Sequence, residues 1–228
     1  MWLSLNRKNI LIDPGPGSLI RIFENKLEPE DIDIFVLSHR HLDHVSDINA
    51  VIESATKSHK KKKDLLIAPN DTVYGDDPVV LKYSLKGIKK VETIEENKEI
   101  IYEDIRIKPL IKHIHNNVEN YSLGFFTDNK TVIYVPCGKF YEDMLYAYPE
   151  NPDLMIFNTT FVKPVADINH LSVKDVEKII EKSKPKKAIL THFSVMMLKY
   201  NPEKIAKELS EKLKLEVIAA KDGMKIFF

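Results

Sequence analysis

Residues 31–44 read DIDIFVLSHRHLDH. The first half begins by alternating and ends continuously apolar, as a strand buried in a sheet does. The second half sets His39, His41, Asp43 and His44 within six positions. Strands of this kind belong to the interior of a sheet, and α/β sheets put their sites at the C-terminal ends of strands.

The remaining chain supplies partners for that strand. WLSLN and ILID, split by RKN, read as a hairpin. DPGPGS at 13–18 is a turn, and Leu19, Ile20, Phe23 and Leu27 predict a helix over 18–27. Ile48, Val51, Ile52 and Ala55 predict a second over 46–57. LLIA at 65–68 is a strand, followed by the turn-rich PNDTVYGDDP. Residues 88–135 are mostly β, and DLMIFN at 153–158 and KAILT at 187–191 are further strands. Ser172 with Asp175 forms a capping box ahead of a helix with Val173, Val176, Ile179 and Ile180 on one face. Asn201-Pro202 opens a last helix carrying Ile205, Leu209 and Leu213, and MKIFF ends the chain as a strand. Strand–helix units at both ends of a β-rich middle predict α/β layers around sheets. With no repeat, low-complexity tract or long linker, residues 1–228 are expected to form one domain.

Composition narrows the function. Lys+Arg and Asp+Glu are equal at 34 each, so bulk charge advertises no polyanionic partner. The run HKKKKD at 59–64 reads as a solvated loop, with phosphate contact as the rival, and His59 within it reads as a surface residue. The single cysteine, Cys137, forms no disulfide within the chain, as expected of a reducing cytoplasm. No signal peptide and no membrane-spanning run are expected.

The cluster reads as a metal site. His-x-His-x-Asp-His arises by chance in roughly one chain of this composition in a thousand. Imidazole and carboxylate suit Zn²⁺ and related ions. His39 and His41 share one side of an extended segment, and Asp43 and His44 fall where the chain turns, so they can face a second ion. Further ligands are sought at other strand ends. His113 and His115 share parity with the apolar Ile105, Ile107 and Ile111. His192 follows KAILT, and His170 precedes the capped helix. Cys137 follows TVIYVP and is either a small buried hydrophobe or a thiolate ligand. DPGPGS admits two readings: a loop beneath the site in which Asp13 orients a ligand histidine, or a plain strand-to-helix turn with Ser18 as N-cap.

These segments, LIDPGPGS, LSHRHLDH, HNNVENYSLGF, VIYVPCG, LMIFNTT, NHLS and AILTHFS in this order, resemble the metallo-β-lactamase superfamily. The chain looks most like its archaeal-type metal-dependent hydrolases, relatives of the ribonuclease Z and phosphodiesterase branch. The resemblance implies a four-layer αβ/βα sandwich. The family's usual first N-terminal strand is not read ahead of MWLSLNRKNILID, so either that hairpin is lost or the sequence given is short; a missing strand would expose a sheet edge that a second copy could cover. The resemblance also implies two divalent ions, zinc first and manganese or iron as alternatives. His39, His41 and His115 would hold one, with His113 as rival to His115; Asp43, His44 and His192 would hold the other. Cys137 stands where the family has a bridging aspartate, so it could bridge, bind one ion, or favour Zn²⁺. His170 matches a non-ligand histidine that protonates the leaving group, and with Asp43 it is a catalytic candidate.

The reaction so implied is hydrolysis by a hydroxide that the two metals generate from water. The expected substrate is a phosphodiester, small or cyclic or a nucleic-acid end, with no membrane partner. The alternatives are a lactone or thioester hydrolase, or a degenerate member that binds metal or ligand without turnover. Fold does not choose among them.

Overall fold

The computed structural model describes residues 1–228. The chain divides into two compact units, Met1–Ile100 and Ile101–Phe228. The first is built on β1 (Trp2–Leu5), β2 (Lys8–Ile12), β3 (Ile34–Val36), β4 (Lys63–Pro69) and β5 (Ile88–Ile94), hydrogen-bonded in that order. β1 and β2 form the expected hairpin, and the other neighbours are parallel. Its helices are α1 (Ser18–Glu24), α2 (Leu42–Val45), α3 (Ile48–Ala55), α4 (Asn70–Tyr74) and α5 (Lys82–Leu85). Phe35, Leu37 and Leu66 of the sheet side pack with Ile48, Val51 and Ile52 of α3. Each such fully buried side chain contributes about 1.5–3 kcal/mol by transfer from water.

Apart from Ile100, the last residue of the first unit, the second unit holds β6 (Ile100–Tyr102), β7 (Ile105–Lys112), β8 (Tyr121–Phe126), β9 (Thr131–Val135), β10 (Leu154–Phe161), β11 (Leu171–Ser172), β12 (Lys187–Thr191) and β13 (Glu216–Ala219). The sheet order is β13-β12-β10-β9-β8-β7-β6, with β11 paired to β10. β7, β8 and β9 run antiparallel, whereas β9, β10, β12 and β13 run parallel. The helices are α6 (Val173–Ser183), α7 (Val195–Lys199) and α8 (Pro202–Leu213). Phe157, Met155 and Leu190 pack against Val176, Ile179 and Ile180 of α6.

Both caps read from the sequence are present. Ser172 and Asp175 form the capping box of α6, and Asn201 Oδ1 accepts the Lys204 N–H at the start of α8. Several boundaries differ from expectation. α1 ends at Glu24, because its cap at Asn25 stops it a turn before Leu27. Its N-cap is Gly17 and not Ser18. PNDTVYGDDP contains α4, and the last strand is β13 and not MKIFF. β13 pairs in parallel with β12 after a chain reversal at Lys214, whose φ is 55°. Phe227, by contrast, is 85% exposed. In the lysine run Lys60, Lys61 and Lys62 are exposed, as a solvated loop would have them, and Glu30 meets Lys61 and, just before the run, Lys57. His59 is half-buried with its ring 4.5 Å from that of Tyr83, a packing residue and not a solvated one.

Candidate metal centre

In the first unit the donors gather where β3 ends. His39 is fully buried, His44 nearly so, and His41 partly. The His39 ring lies 4.8 Å from that of His41 and 4.1 Å from that of His44. Asp43 and His44 sit on the single turn of α2, a helix that the sequence pattern did not announce. The Asp43 carboxylate is exposed and its Oδ2 lies 3.6 Å from His44 Nε2.

Asp13 organises this cluster from below. Its Oδ1 accepts the Ser38 N–H at 2.7 Å, and its Oδ2 accepts the Ser38 hydroxyl at 2.6 Å. Oδ2 also meets His44 Nδ1 at 3.0 Å. Burial pushes this carboxyl upward, but the hydrogen bonds and charge of His44, with those of Ser38, outweigh it and hold it below its ordinary range. An ionised carboxylate only accepts, so His44 carries its proton on Nδ1. The Ser38 hydroxyl hydrogen is committed to Asp13, so His39, with Nδ1 3.0 Å from Ser38 Oγ, also carries its proton on Nδ1. In their neutral forms both imidazoles therefore direct a lone pair from Nε2. The loop fits tightly as well: a Cβ on Gly15 would stand 2.0 Å from the Asp43 carbonyl oxygen. Of the two readings of DPGPGS, the loop beneath the cluster is the one seen. His41, partly buried, is held below its ordinary pKa by that burial, against the pull of Asp43.

In the second unit His115, Cys137 and His170 offer ligand atoms within 4.8 Å of one another. Cys137, at the end of β9, is buried and lies 3.6 Å by its Sγ from His192 Nε2. Asn158 donates to that sulfur at 3.4 Å, and Asn120 Nδ2 donates to the Cys137 carbonyl at 2.6 Å. Thr160 Oγ1 lies 3.2 Å from His192 Nδ1, and His192 itself takes φ of 61°, a left-handed turn at the end of β12. The His170 ring stands 4.9 Å from that of His115 and stacks 5.8 Å from that of His192.

His113 and His115 are both buried, as their shared parity predicts, but their surroundings differ. His115 Nδ1 faces the Asn169 carbonyl at 2.8 Å, an acceptor, which places the proton on Nδ1 and the lone pair on Nε2. His113 Nε2 lies 2.5 Å from Ser122 Oγ, which in turn meets the Tyr148 hydroxyl. Burial, and then the nearby His115, lower its pKa to about 3, so it stays neutral inside the fold. Ser38, Asn120, Asn158, Thr160 and Asn169 were not singled out from the sequence. Ser38, Asn158, Thr160 and Asn169 do lie inside the quoted motifs, LSHRHLDH, LMIFNTT and NHLS, and Asn120 lies inside HNNVENYSLGF.

A family model described as the beta-lactamase superfamily domain matches residues 8–193. The chain belongs to the metallo-β-lactamase superfamily. Members of this superfamily are metal-dependent hydrolases, and the chain is one of them. Uncharacterized protein MJ1374 of Methanocaldococcus jannaschii is 26% identical over 97% of this chain and 84% of its own length. Ribonuclease Z of Borreliella afzelii is 27% identical over 50% of this chain, which corresponds to 34% of that enzyme. Among solved structures, the metallo-β-lactamase fold protein YhfI from Bacillus subtilis superposes with a TM-score of 0.81 at 20% identity, covering 98% of this chain and 88% of YhfI. A diphosphatase from the PhnP family gives 0.73 at 21% identity, covering 100% of this chain and 83% of that one. These likenesses establish the metallo-β-lactamase fold. No helix is long and apolar enough to cross a membrane.

Proposed function

We propose that this hydrolase cleaves a phosphodiester with two divalent ions, held by the residues that the resemblance assigns. His39, His41 and His115 would hold one ion; Asp43, His44 and His192 would hold the other. Cys137 takes the place of the family's aspartate, and a cysteine ligand beside imidazoles would favour zinc over manganese. One observation carries the reading. His39, His44 and His115 each turn Nδ1–H toward a serine hydroxyl, a carboxylate or a carbonyl, which leaves Nε2 as the donor nitrogen. Metal-ligating histidines are held in this way. His113, turned to Ser122 instead, is left out of the ligand set.

When bound, two such ions lower the pKa of water and stabilise the entering and leaving oxygens together. The chain's residues supply the rest. His170, whose ring lies against those of His115 and His192, would give a proton to the leaving oxygen. Asp13 and the Asn169 carbonyl fix ring orientation. Phosphodiesters are favoured because one relative named above is a ribonuclease, an enzyme that acts on phosphodiester bonds.

The test combines metal content by elemental mass spectrometry with hydrolysis of bis(p-nitrophenyl) phosphate. About two equivalents of metal per chain and measurable turnover are expected. His170→Ala should lower kcat by about 10²–10⁴-fold with metal content unchanged. Two bound ions without turnover on any phosphodiester would instead favour a lactone or thioester substrate. One ion or none after metal dialysis would favour the non-catalytic alternative.

A further inference from the structure

Residues 57–64 and 82–90 hold nine lysines against one aspartate, a local excess that the chain's zero net charge hides. We propose that these two segments of the first unit form a docking surface for single-stranded nucleic acid. Strand binding here does not require the reaction proposed above.

The two segments are built together. After α3 the chain passes through Lys57, Ser58 and His59 with φ of 50°, 53° and 66°, a left-handed run that glycine adopts more readily. Thr56 closes this turn. Its Oγ1 accepts the His59 N–H at 3.2 Å, and its carbonyl accepts the Lys61 N–H at 2.9 Å. The Lys63 N–H then donates to the Gly87 carbonyl at 2.9 Å, and a Cβ on Gly87 would stand 2.8 Å from Thr56 Cγ2. The lysines of the turn therefore leave from a fixed backbone that lies against the end of α5. Less entropy is lost when a ligand engages side chains on such a backbone.

Charge selects an anion. Glu30 takes Lys57 and Lys61, Asp64 takes Lys89, and Glu92 takes Lys90. Lys60, Lys62, Lys82 and Lys86, all exposed, stand outside these pairs. A lysine run alone is ordinarily just hydrated. The aromatic ring beside this one argues for a ligand. Tyr83 is 48% exposed, His59 packs edge-on against it at 4.5 Å between ring centres, and Lys86 Nζ stands 5.8 Å from the Tyr83 ring centre. An exposed ring takes a nucleobase by stacking, and cations around it take the phosphates on either side. An acidic polypeptide would use the lysines and leave the ring unmatched. A duplex keeps its bases stacked inside, away from the ring, so the occupant is a single strand.

The full-length, metal-loaded chain is titrated against a short fluorescein-labelled oligouridylate. Anisotropy reads binding over a range of salt, and electrophoresis checks that the strand stays intact. Binding is expected, with log K falling against log salt at a slope of about −2 to −3, as for three or four phosphates of a single strand. Lys60→Glu with Lys62→Glu should weaken it at least about tenfold and flatten the slope by about 1.4. Tyr83→Ala should weaken it about fivefold or more, with Tyr83→Leu as the second variant should the first fail to fold. Lys204→Glu with Lys207→Glu, the same charge change on exposed positions of α8, should leave binding unchanged. Absence of binding at low salt, equal binding by the folded Lys60/Lys62 variant, or an equal loss in the α8 variant overturns the surface. Displacement of the strand by polyglutamate at equal charge assigns the lysines to acidic polypeptides and overturns the nucleic-acid reading. Each preparation is also assayed on bis(p-nitrophenyl) phosphate. Turnover without strand binding sinks the surface alone, and strand binding without turnover supports the surface and counts against the proposed reaction.

Discussion

Replacing Asp13 by asparagine would test the organisation of the first unit's donors with a change of one atom. The carboxylate accepts from the Ser38 N–H, the Ser38 hydroxyl and His44 Nδ1. Asparagine keeps one oxygen for the Ser38 N–H. Its amide nitrogen then faces the two donors that Oδ2 served. Ser38 can rotate, but His44 can relieve the N–H against N–H contact only by moving its proton to Nε2, the nitrogen proposed for the metal. Loss of such an orienting partner costs about 10–100-fold in metal affinity, or about 1.4–2.7 kcal/mol. The metal-free fold loses charge-assisted hydrogen bonds as well, each worth about 1.5–3 kcal/mol. For a chain of this size that lowers Tm by about 2–4 °C per kcal/mol. Competition against a chromogenic zinc chelator reads the first effect, and thermal unfolding in EDTA reads the second. Wild-type zinc affinity in a folded Asp13→Asn protein would refute the tautomer argument and remove His44 from the proposed ligand set.

Other changes probe separate links. Gly15→Ala drives a methyl into the Asp43 carbonyl and should cost at least about 1–3 kcal/mol, read as a lower Tm in metal-free protein. Ser172→Ala removes one side of the α6 capping box and should cost about 0.5–2 kcal/mol in urea unfolding, with metal content unchanged. Asp153 accepts from Thr131 N–H and Lys186. Burial alone raises its pKa, but Lys186 and Thr131 carry it below the ordinary 3.8. Its contribution is complete above about pH 4 and fades as pH falls through the lower folded value. The stability gap between wild type and Asp153→Asn should therefore be flat from pH 6 to 8 and shrink at acid pH.

Much of the fold was legible because local rules and tertiary context agree. β3 is apolar throughout and sits inside its sheet, and the caps at Ser172 and Asn201 are local chemistry that the chain displays openly. The failures came where distant partners decide. MKIFF is as strand-like as the segment forming β13, but only Glu216–Ala219 follows α8 closely enough to pair with β12. α2 and α4 are single turns, too short for a hydrophobic period to show. At the site, parity put His113 and His115 on one side but could not tell them apart. The difference lies in Ser122 for one and in Asn169, 54 residues further on, for the other. The role of Asp13 was similarly undecided until Ser38 and His44 were seen around its carboxylate.

β10 links Cys137 and His192. Asn158 and Thr160 are two apart, so they face the same side of that strand. One reaches the sulfur at the end of β9, and the other reaches the imidazole at the end of β12. β10 lies between those strands, with Phe157 opposite Val135 and Asn158 opposite Thr191. The two donors are therefore calibrated by a single ruler. Sliding β10 by one residue would swing both supporting side chains away together. A lineage or a designer could not retune the surroundings of the sulfur without disturbing the histidine, and repacking the core around Phe157 would shift both at once.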